Sequence, residues 1–147
     1  METTMTNPNV EMLNSIYQNA AMGTDALRKL WDKVGDVNMK SQLQNQINEY
    51  EGIKAACIQE LTQYGEQPKE NGLFANMELW SGIQINTLKD RSNSHIAEML
   101  IEGSTMGVVE MTRKLKQNTN IKPETAEIGQ KLVDIEEDNI ENMKNFL

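Results

Sequence analysis

Histidine and cysteine each occur only once in this chain, which limits the chemistry that it can perform. A carboxylate-bridged metal site in a helical bundle takes about four carboxylates and two histidines from facing helices, and His95 alone does not supply them. Cys57 has no partner for an intramolecular disulfide, so nothing indicates an oxidising compartment and we expect a cytoplasmic protein. Phosphate-binding glycine loops, Cys-x-x-Cys pairs, His-Glu-x-x-His motifs and nucleophile elbows are also absent from the sequence. These absences weigh against an enzyme, and we expect neither a catalytic residue nor a cofactor.

Basic residues are in the minority, with 14 Lys and Arg against 22 Asp and Glu and a formal net charge of −8. The longest basic cluster, formed by Arg113, Lys114 and Lys116, covers about one helical turn and cannot follow a phosphate backbone. An anionic membrane surface is disfavoured for the same reason. No apolar run approaches the roughly 20 residues that cross a bilayer, and residues 1–9 are too polar for a secretory signal. We therefore expect neither nucleic acid nor membrane as a partner.

Proline is scarce, and Pro8, Pro68 and Pro123 all lie at the starts of helical patterns or between them. Aromatic residues make up only 5% of the chain, so aliphatic side chains and ten methionines must fill the core. The pattern is typical of an all-α protein, and a length of 147 residues corresponds to about one domain.

Apolar residues recur at a helical period in five segments of the chain. The first segment starts at Asn7-Pro8 and is stopped by Gly35, which lies only two residues before the second segment. Because short turns join neighbouring helices in antiparallel hairpins, we predict one domain over 1–147 with two αα-hairpins. The hairpins cover 8–64 and 94–147, and a long crossover with a short extra helix covers 65–93.

Three stretches of the sequence are distinctive. They are AMGTDAL at 21–27, SHIAEMLIEGSTMG at 94–107, and EDNIE at 137–141 with KNFL at 144–147. With these stretches the chain resembles a family of small, uncharacterised proteins from anaerobic Gram-positive bacteria, and more distantly the spore-coat protein F type of bundle. The resemblance implies a ferritin-like antiparallel four-helix bundle over nearly the whole chain, and it implies no established activity.

The wider ferritin-like class implies a metal site built from Glu and Glu-x-x-His on paired helices. This chain departs from that pattern, since Asn139 stands where a histidine would follow Glu136, and no histidine follows Glu51 or Glu49 at that spacing. Glu136, Glu51 and Glu49 are therefore only weak candidates for metal ligands. Iron or manganese at low occupancy is the alternative to having no cofactor.

Glu136 falls within the apolar arc of the last helical segment, so its carboxylate is predicted to point into the bundle. A buried charge must be paired or its pKa shifts. One interpretation is a small-ligand or single-metal site, and the other, which we favour, is a structural network in which Lys54 pairs with Glu136 or reaches the surface. The predicted polar cluster consists of Tyr50, Lys54, Glu136, Asn139, Thr24 and Ser104.

A second apolar row, Met99, Met106 and Val109, runs along the fourth helical segment opposite its main apolar face. A helix that is apolar on both sides is expected to be covered on both sides. Either the crossover, with Phe74, Met77 and Trp80, or a second subunit could cover this row, and we favour the crossover. Glycines one turn apart would let another backbone approach. Gly103 and Gly107 therefore complete the predicted interface.

The leading hypothesis for function is a non-catalytic interaction or structural protein that associates with itself or with a protein partner. The second is a degenerate carboxylate-metal protein with a reduced site near Glu136. The third is a spore- or stress-associated structural component, which depends on the distant resemblance alone.

Overall fold

The computed structural model describes residues 7–69, 85 and 88–147 of the chain. In this part of the chain the protein is all-helical and contains no strand. The prediction of an all-α protein is therefore confirmed for the described residues. The four helices are α1, Pro8–Trp31; α2, Val37–Gln63; α3, Asn93–Gln117; and α4, Pro123–Lys144.

Side chains at the helix starts fix where three of the helices begin. Asn7 accepts a hydrogen bond from the backbone N–H of Asn9 at 2.9 Å, and proline follows it at the first helical position. The Asp36 carboxylate accepts the backbone N–H groups of α2 at 2.8 and 2.9 Å, and Ser92 caps α3 in the same way at 3.2 Å. These bonds satisfy donors that the first turn of a helix leaves unpaired. The capping residues thus begin the helices where the sequence predicts.

Helix α1 packs along α2, and α3 packs along α4. Helix α4 also contacts α1 and α2, whereas α3 touches α1 only lightly. Two hydrogen bonds between helix starts link the pairs. The backbone N–H of Lys122 donates to Asn9 at 2.7 Å, and the Asn93 amide donates to Asp36 at 3.2 Å. The light contact between α1 and α3 leaves space inside the structure, and the candidate site lies there.

The core is aliphatic and contains several methionines, as the composition predicts. Leu13 and Ile16 on α1, Leu43 on α2 and Leu132 on α4 are fully buried. Helix α1 ends at Trp31, before the predicted stop at Gly35. Val34 lies in the turn that follows, and its side chain is buried in the core. Each of the helices that the structure describes is too short or too polar to cross a membrane.

The predicted crossover, 65–93, lies largely outside the described residues. The same holds for its short helix and for Phe74, Met77 and Trp80, the side chains predicted to cover the second apolar row of α3.

Candidate functional site

Glu136 lies on the inner face of α4 and is 2% exposed. The Tyr50 hydroxyl, on α2, donates to its Oε2 at 3.3 Å. Asn139, one turn further along α4, is buried, and the hydroxyl of Ser104 on α3 lies close enough to the Tyr50 oxygen to influence its pKa. Three helices thus bring a carboxyl, a phenol, an amide and a hydroxyl together in an otherwise aliphatic interior.

Two glycines make room for this arrangement. A Cβ built on Gly107 of α3 would overlap the Glu136 carboxylate, and a Cβ built on Gly23 of α1 would lie 2.6 Å from the Tyr50 ring. Real Cβ atoms do not approach neighbours this closely, so alanine at either position would displace the side chain opposite. The glycines in these helix interiors cost about 1 kcal/mol each in helix propensity relative to alanine. The close approach of Tyr50 and Glu136 accounts for that cost.

Burial sets the protonation of the site. It raises the pKa of the Glu136 carboxyl from its ordinary value of 4.5 to about 8, with the Tyr50 hydrogen bond opposing the rise. Burial, together with the neighbouring Glu136 charge, also raises the pKa of Tyr50 well above 10. None of the ion pairs found among the described residues includes Glu136. The carboxyl is therefore mostly protonated near neutral pH.

A cavity of about 70 Å³ lies next to Glu136, between α1 and α3. Tyr50 and Gln46 of α2 contribute to its polar wall, and Leu27 and Met99 contribute to its apolar wall. The lining residues Met22, Ala26 and Gly103 are half-buried and Met106 is exposed, so the cavity has an outer edge between α1 and α3. The lining residues within the described part of the chain are Asn19, Met22, Gly23, Ala26, Leu27, Leu30, Gln46, Tyr50, Ile85, Met99, Leu100, Gly103, Ser104, Met106 and Glu136.

Polar atoms in this region lack partners. Oε1 of Glu136, Nε2 of Gln46 and Nδ2 of Asn139 are all buried and form no hydrogen bond in good geometry with any described residue. Glu136 and Gln46 both line the cavity and are 2% and 3% exposed. Buried polar groups in folded proteins are nearly always hydrogen-bonded, and leaving one unpaired costs about 1–3 kcal/mol. Two such groups on one cavity indicate a place that a polar molecule can occupy.

The structure brings together four of the six residues predicted for the polar cluster: Tyr50, Glu136, Asn139 and Ser104. Thr24 is buried on α1, but its hydroxyl donates to the backbone oxygen of Ala21 at 2.9 Å.

Lys54 is turned away from Glu136. Its ammonium lies 3.5 Å from Glu51 and over the ring of Tyr17 at 5.6 Å. The aromatic ring and the carboxylate hold the lysine near the surface, so the pairing of Lys54 with Glu136 that the sequence allowed does not occur.

The three weak metal candidates occupy different environments. Glu51 is partly exposed and pairs with Arg28 at 3.0 Å. Glu49 lies on the exposed side of α2, and the loss of some surrounding water, together with the nearby Asp138 charge, raises its pKa. Glu136 lies inside. Within the described residues, no group of three or more His, Cys, Asp and Glu side chains is placed to hold a metal ion.

The residues of the predicted interface fall into a buried group and an exposed group. Met99 is 7% exposed and lines the cavity, and Gly107 faces Glu136. Met106 and Val109 are 37% and 48% exposed on the outer side of α3. A Cβ on Gly103 would meet nothing within 4 Å.

Sequence reasoning missed Gln46 and Asn19, which both line the cavity. A signal was present, because Gln46 follows the buried Leu43 by three residues and Asn19 follows the buried Ile16 by three. A polar residue at an inward position of an amphipathic helix is the pattern that would have identified them. Cys57 is fully buried, and burial raises the pKa of its thiol to about 12, so it fills the core.

No family model matches the chain, and no curated protein matches it. In fold the chain is similar to the crystal structure of a DUF305 fragment from Deinococcus radiodurans, with a TM-score of 0.75 and 14% sequence identity. The match covers 95% of this chain and 95% of that chain. At this identity the likeness concerns the fold alone, and it agrees with the all-helical structure described above.

Proposed function

We propose that this chain is a ferritin-like helical bundle that binds a small molecule between α1 and α3 and does not catalyse a reaction. The observation that carries the proposal is the cavity beside Glu136, into which two buried side chains present unpartnered polar atoms. The ferritin-like assignment is supported by the pairing of α1 with α2 and of α3 with α4. The binding role is supported by the size of the cavity: since one water needs roughly 10–15 Å³, it holds about five water-sized groups.

Among the described residues, the arrangement offers binding groups and does not combine them with the parts of a reaction centre. The cavity lining contains no cysteine or histidine to act as nucleophile or base. Its carboxyl has the raised pKa of a general acid, but the weakly acidic Tyr50 is the only other titratable group among the described lining residues. Binding is therefore the activity that the site supports best.

The test is amide chemical-shift mapping by NMR with probes of about five non-hydrogen atoms, the size that the cavity admits. Alcohols, amines and carboxylates of this size would be added to the full chain. We expect at least one probe class to shift resonances around Gln46, Tyr50 and Ser104. A matched pair of variants sharpens the result. Gly103→Leu places a side chain at the edge of the cavity and should abolish the shifts, whereas Gly52→Leu, on an open part of α2, should preserve them.

Two outcomes would contradict the proposal. One is the absence of shifts with every probe class. The other is an equal response in Gly103→Leu and in the unsubstituted protein, which would place the binding elsewhere on the surface.

Self-association is the second candidate function, and the exposed Met106 and Val109 on the outer side of α3 favour it. A homodimer through this face would cover apolar surface that the described residues leave open. Sedimentation velocity tests it with Val109→Glu, which should convert a dimer to a monomer. Val37→Glu is the control, since Val37 is 77% exposed at the start of α2 and away from this face. A monomer before substitution would remove this candidate.

Metal binding at Glu136 needs more ligands than the carboxyl alone. Its neighbours Tyr50, Ser104 and Asn139 offer oxygen atoms but no second carboxylate or imidazole. Metal analysis of protein purified without chelator and then incubated with Fe(II) or Mn(II) tests this alternative. Stoichiometric metal that is lost in Glu136→Gln would support it, and its absence would exclude it.

A further inference from the structure

We infer that the molecule bound beside Glu136 is a small organic cation, a primary alkylammonium whose nitrogen lies on the Glu136 carboxylate and whose alkyl chain lies on the apolar wall of the cavity. This inference rests on the proposed function, because it names the chemical class of the ligand for the same site. It follows from the charges, the shape and the unpartnered atoms of the cavity.

No cation among the described residues is paired with Glu136, so the carboxyl stays protonated and needs a positive partner in order to ionise. Glu136 is 2% exposed, and the cations Arg28 and Lys54 are both engaged with Glu51 on the outer side. A buried carboxylate without a positive partner is strongly disfavoured in proteins. A ligand that carries a positive charge supplies the partner that the described residues lack, whereas an anion would add a like charge beside the carboxylate.

The geometry of the cavity fits an ammonium group with a short apolar chain. An ammonium has three N–H donors and no acceptor. Oε1 of Glu136 is an unpartnered acceptor, and the Tyr50 and Ser104 hydroxyl oxygens stand beside it. The opposite wall is formed by aliphatic and thioether side chains, among them Leu27, Leu30 and Met99. A chain of about four carbons fills the remaining space, given room for about five water-sized groups.

Binding of such a cation is linked to release of a proton. Among the described residues, the polar groups that line the cavity beside Glu136 are the Asn19 amide from α1, the Gln46 amide and the Tyr50 phenol from α2, and the Ser104 hydroxyl from α3. Tyr50 is the one titratable group among them, and its pKa lies well above 10. Near pH 7 the Glu136 carboxyl holds its proton, and the arriving cation displaces that proton to solvent. An alkylammonium keeps its own charge, because amines of this type titrate at about 10.4.

The experiment compares n-butylammonium with n-butanol by isothermal titration calorimetry on the full chain at pH 7 and physiological salt. The two probes have the same number of non-hydrogen atoms and differ in the charged group. We expect n-butylammonium to bind at least about tenfold more tightly than n-butanol. This is the gain in affinity expected from one charge-assisted hydrogen bond. Titrations in two buffers of different ionisation enthalpy should report release of nearly one proton for each ammonium bound.

Two variants assign the preference to the site. Glu136→Gln keeps the size of the side chain and removes its charge, so it should abolish both the preference for the ammonium and the proton release. Glu51→Gln removes the partly exposed carboxylate next to Tyr50 in the sequence and should leave both unchanged. If Glu51→Gln reduces binding as much as Glu136→Gln does, the attraction arises from the acidic surface and the inference is overturned.

The remaining outcomes separate the inference from the proposed function. Equal binding of butanol and butylammonium, with NMR shifts at the cavity, would overturn the cation and leave the binding function intact. If neither probe binds, and no probe of any class shifts the cavity resonances, both the inference and the proposed function fail.

Discussion

Two adjacent residues of α2, Tyr50 and Glu51, belong to two different electrostatic environments. Tyr50 is 3% exposed and points inward, where its hydroxyl donates to Glu136 in a site without a cation among the described residues. Glu51 points outward, where Arg28 at 3.0 Å and Lys54 at 3.5 Å balance its charge. Of these two neighbours on α2, Tyr50 therefore contacts an acid that has no cationic partner, and Glu51 is itself an acid with two.

The comparison shows that burial, more than the identity of the side chain, determines what a carboxyl does in this protein. Glu51 remains in contact with water, so its ion pairs contribute little to stability. Glu136 has lost its water and gained one phenol hydroxyl, and its pKa rises to about 8. An acid with this pKa changes charge within the physiological range, and Glu136 does so next to a cavity.

The largest expected effect is on the pH dependence of stability. The pKa of Glu136 is about 8 in the folded protein and near 4.5 in the unfolded chain, so the folded state holds a proton that the unfolded state has lost between these values. Stability is therefore highest below the lower value and falls as the pH rises toward 8. Glu136→Gln removes the titrating carboxyl, so the stability of the variant should not fall in this way as the pH rises. Urea unfolding of both proteins from pH 5.5 to 9 should show the variant gaining about 3 kcal/mol relative to the original.

Glu51→Gln is the control for that series, because it removes a carboxylate from the outer side of α2 and leaves Glu136 in place. A constant difference between Glu136→Gln and the original protein across the range would mean that Glu136 titrates as an exposed carboxyl does. The described packing around it would then be wrong.

The second effect compares two glycines one turn apart on α3. Gly107→Ala places a Cβ against the Glu136 carboxylate and should destabilise the protein by about 1–3 kcal/mol, as overpacking does. Gly103→Ala meets open space and should stabilise it by about 0.5–1 kcal/mol through helix propensity. Thermal unfolding of the two variants measures both. The same sign for the two substitutions would contradict the packing described here.

Much of the helical layout could be predicted from the sequence, because capping residues and apolar periodicity are local signals. The same periodicity placed Glu136, Asn139 and Tyr50 on inward faces. Which groups meet inside could be predicted only in part, since that depends on how the helices face one another. Lys54 is within reach of either Glu51 or Glu136 by helical phase, and only the packed structure shows that it pairs with Glu51.

Gly107 illustrates the same limit. Its place one turn from Gly103 predicts a close approach by another backbone, yet the structure fills the space above it with a carboxylate from α4. A pattern of small residues shows that something approaches closely and does not show what. Gln46 was missed for a related reason, because the sequence does not show what an inward polar side chain will contact.

The smallest expected effect concerns the outer environment. Glu51→Gln removes the partner of Arg28 and Lys54, and both are partly exposed. Exposed ion pairs are typically worth less than about 1 kcal/mol, so the free energy of unfolding should change by no more than that at pH 7. Urea unfolding at low and high salt provides the measurement. A larger loss would show that the outer pairs contribute more to holding α1 against α2 than exposed ion pairs normally do.

The most direct test of this account is the pKa of Glu136 itself, measured by NMR on protein carrying ¹³C at the glutamate side-chain carboxyls, with Glu136→Gln used to assign the resonance. We predict a midpoint near 8, as burial beside Tyr50 requires, and a shift to lower pH when n-butylammonium is added, because the cation favours the charged form. A midpoint near 4.5 that the amine leaves unchanged would contradict both the buried acid and the cation site built on it.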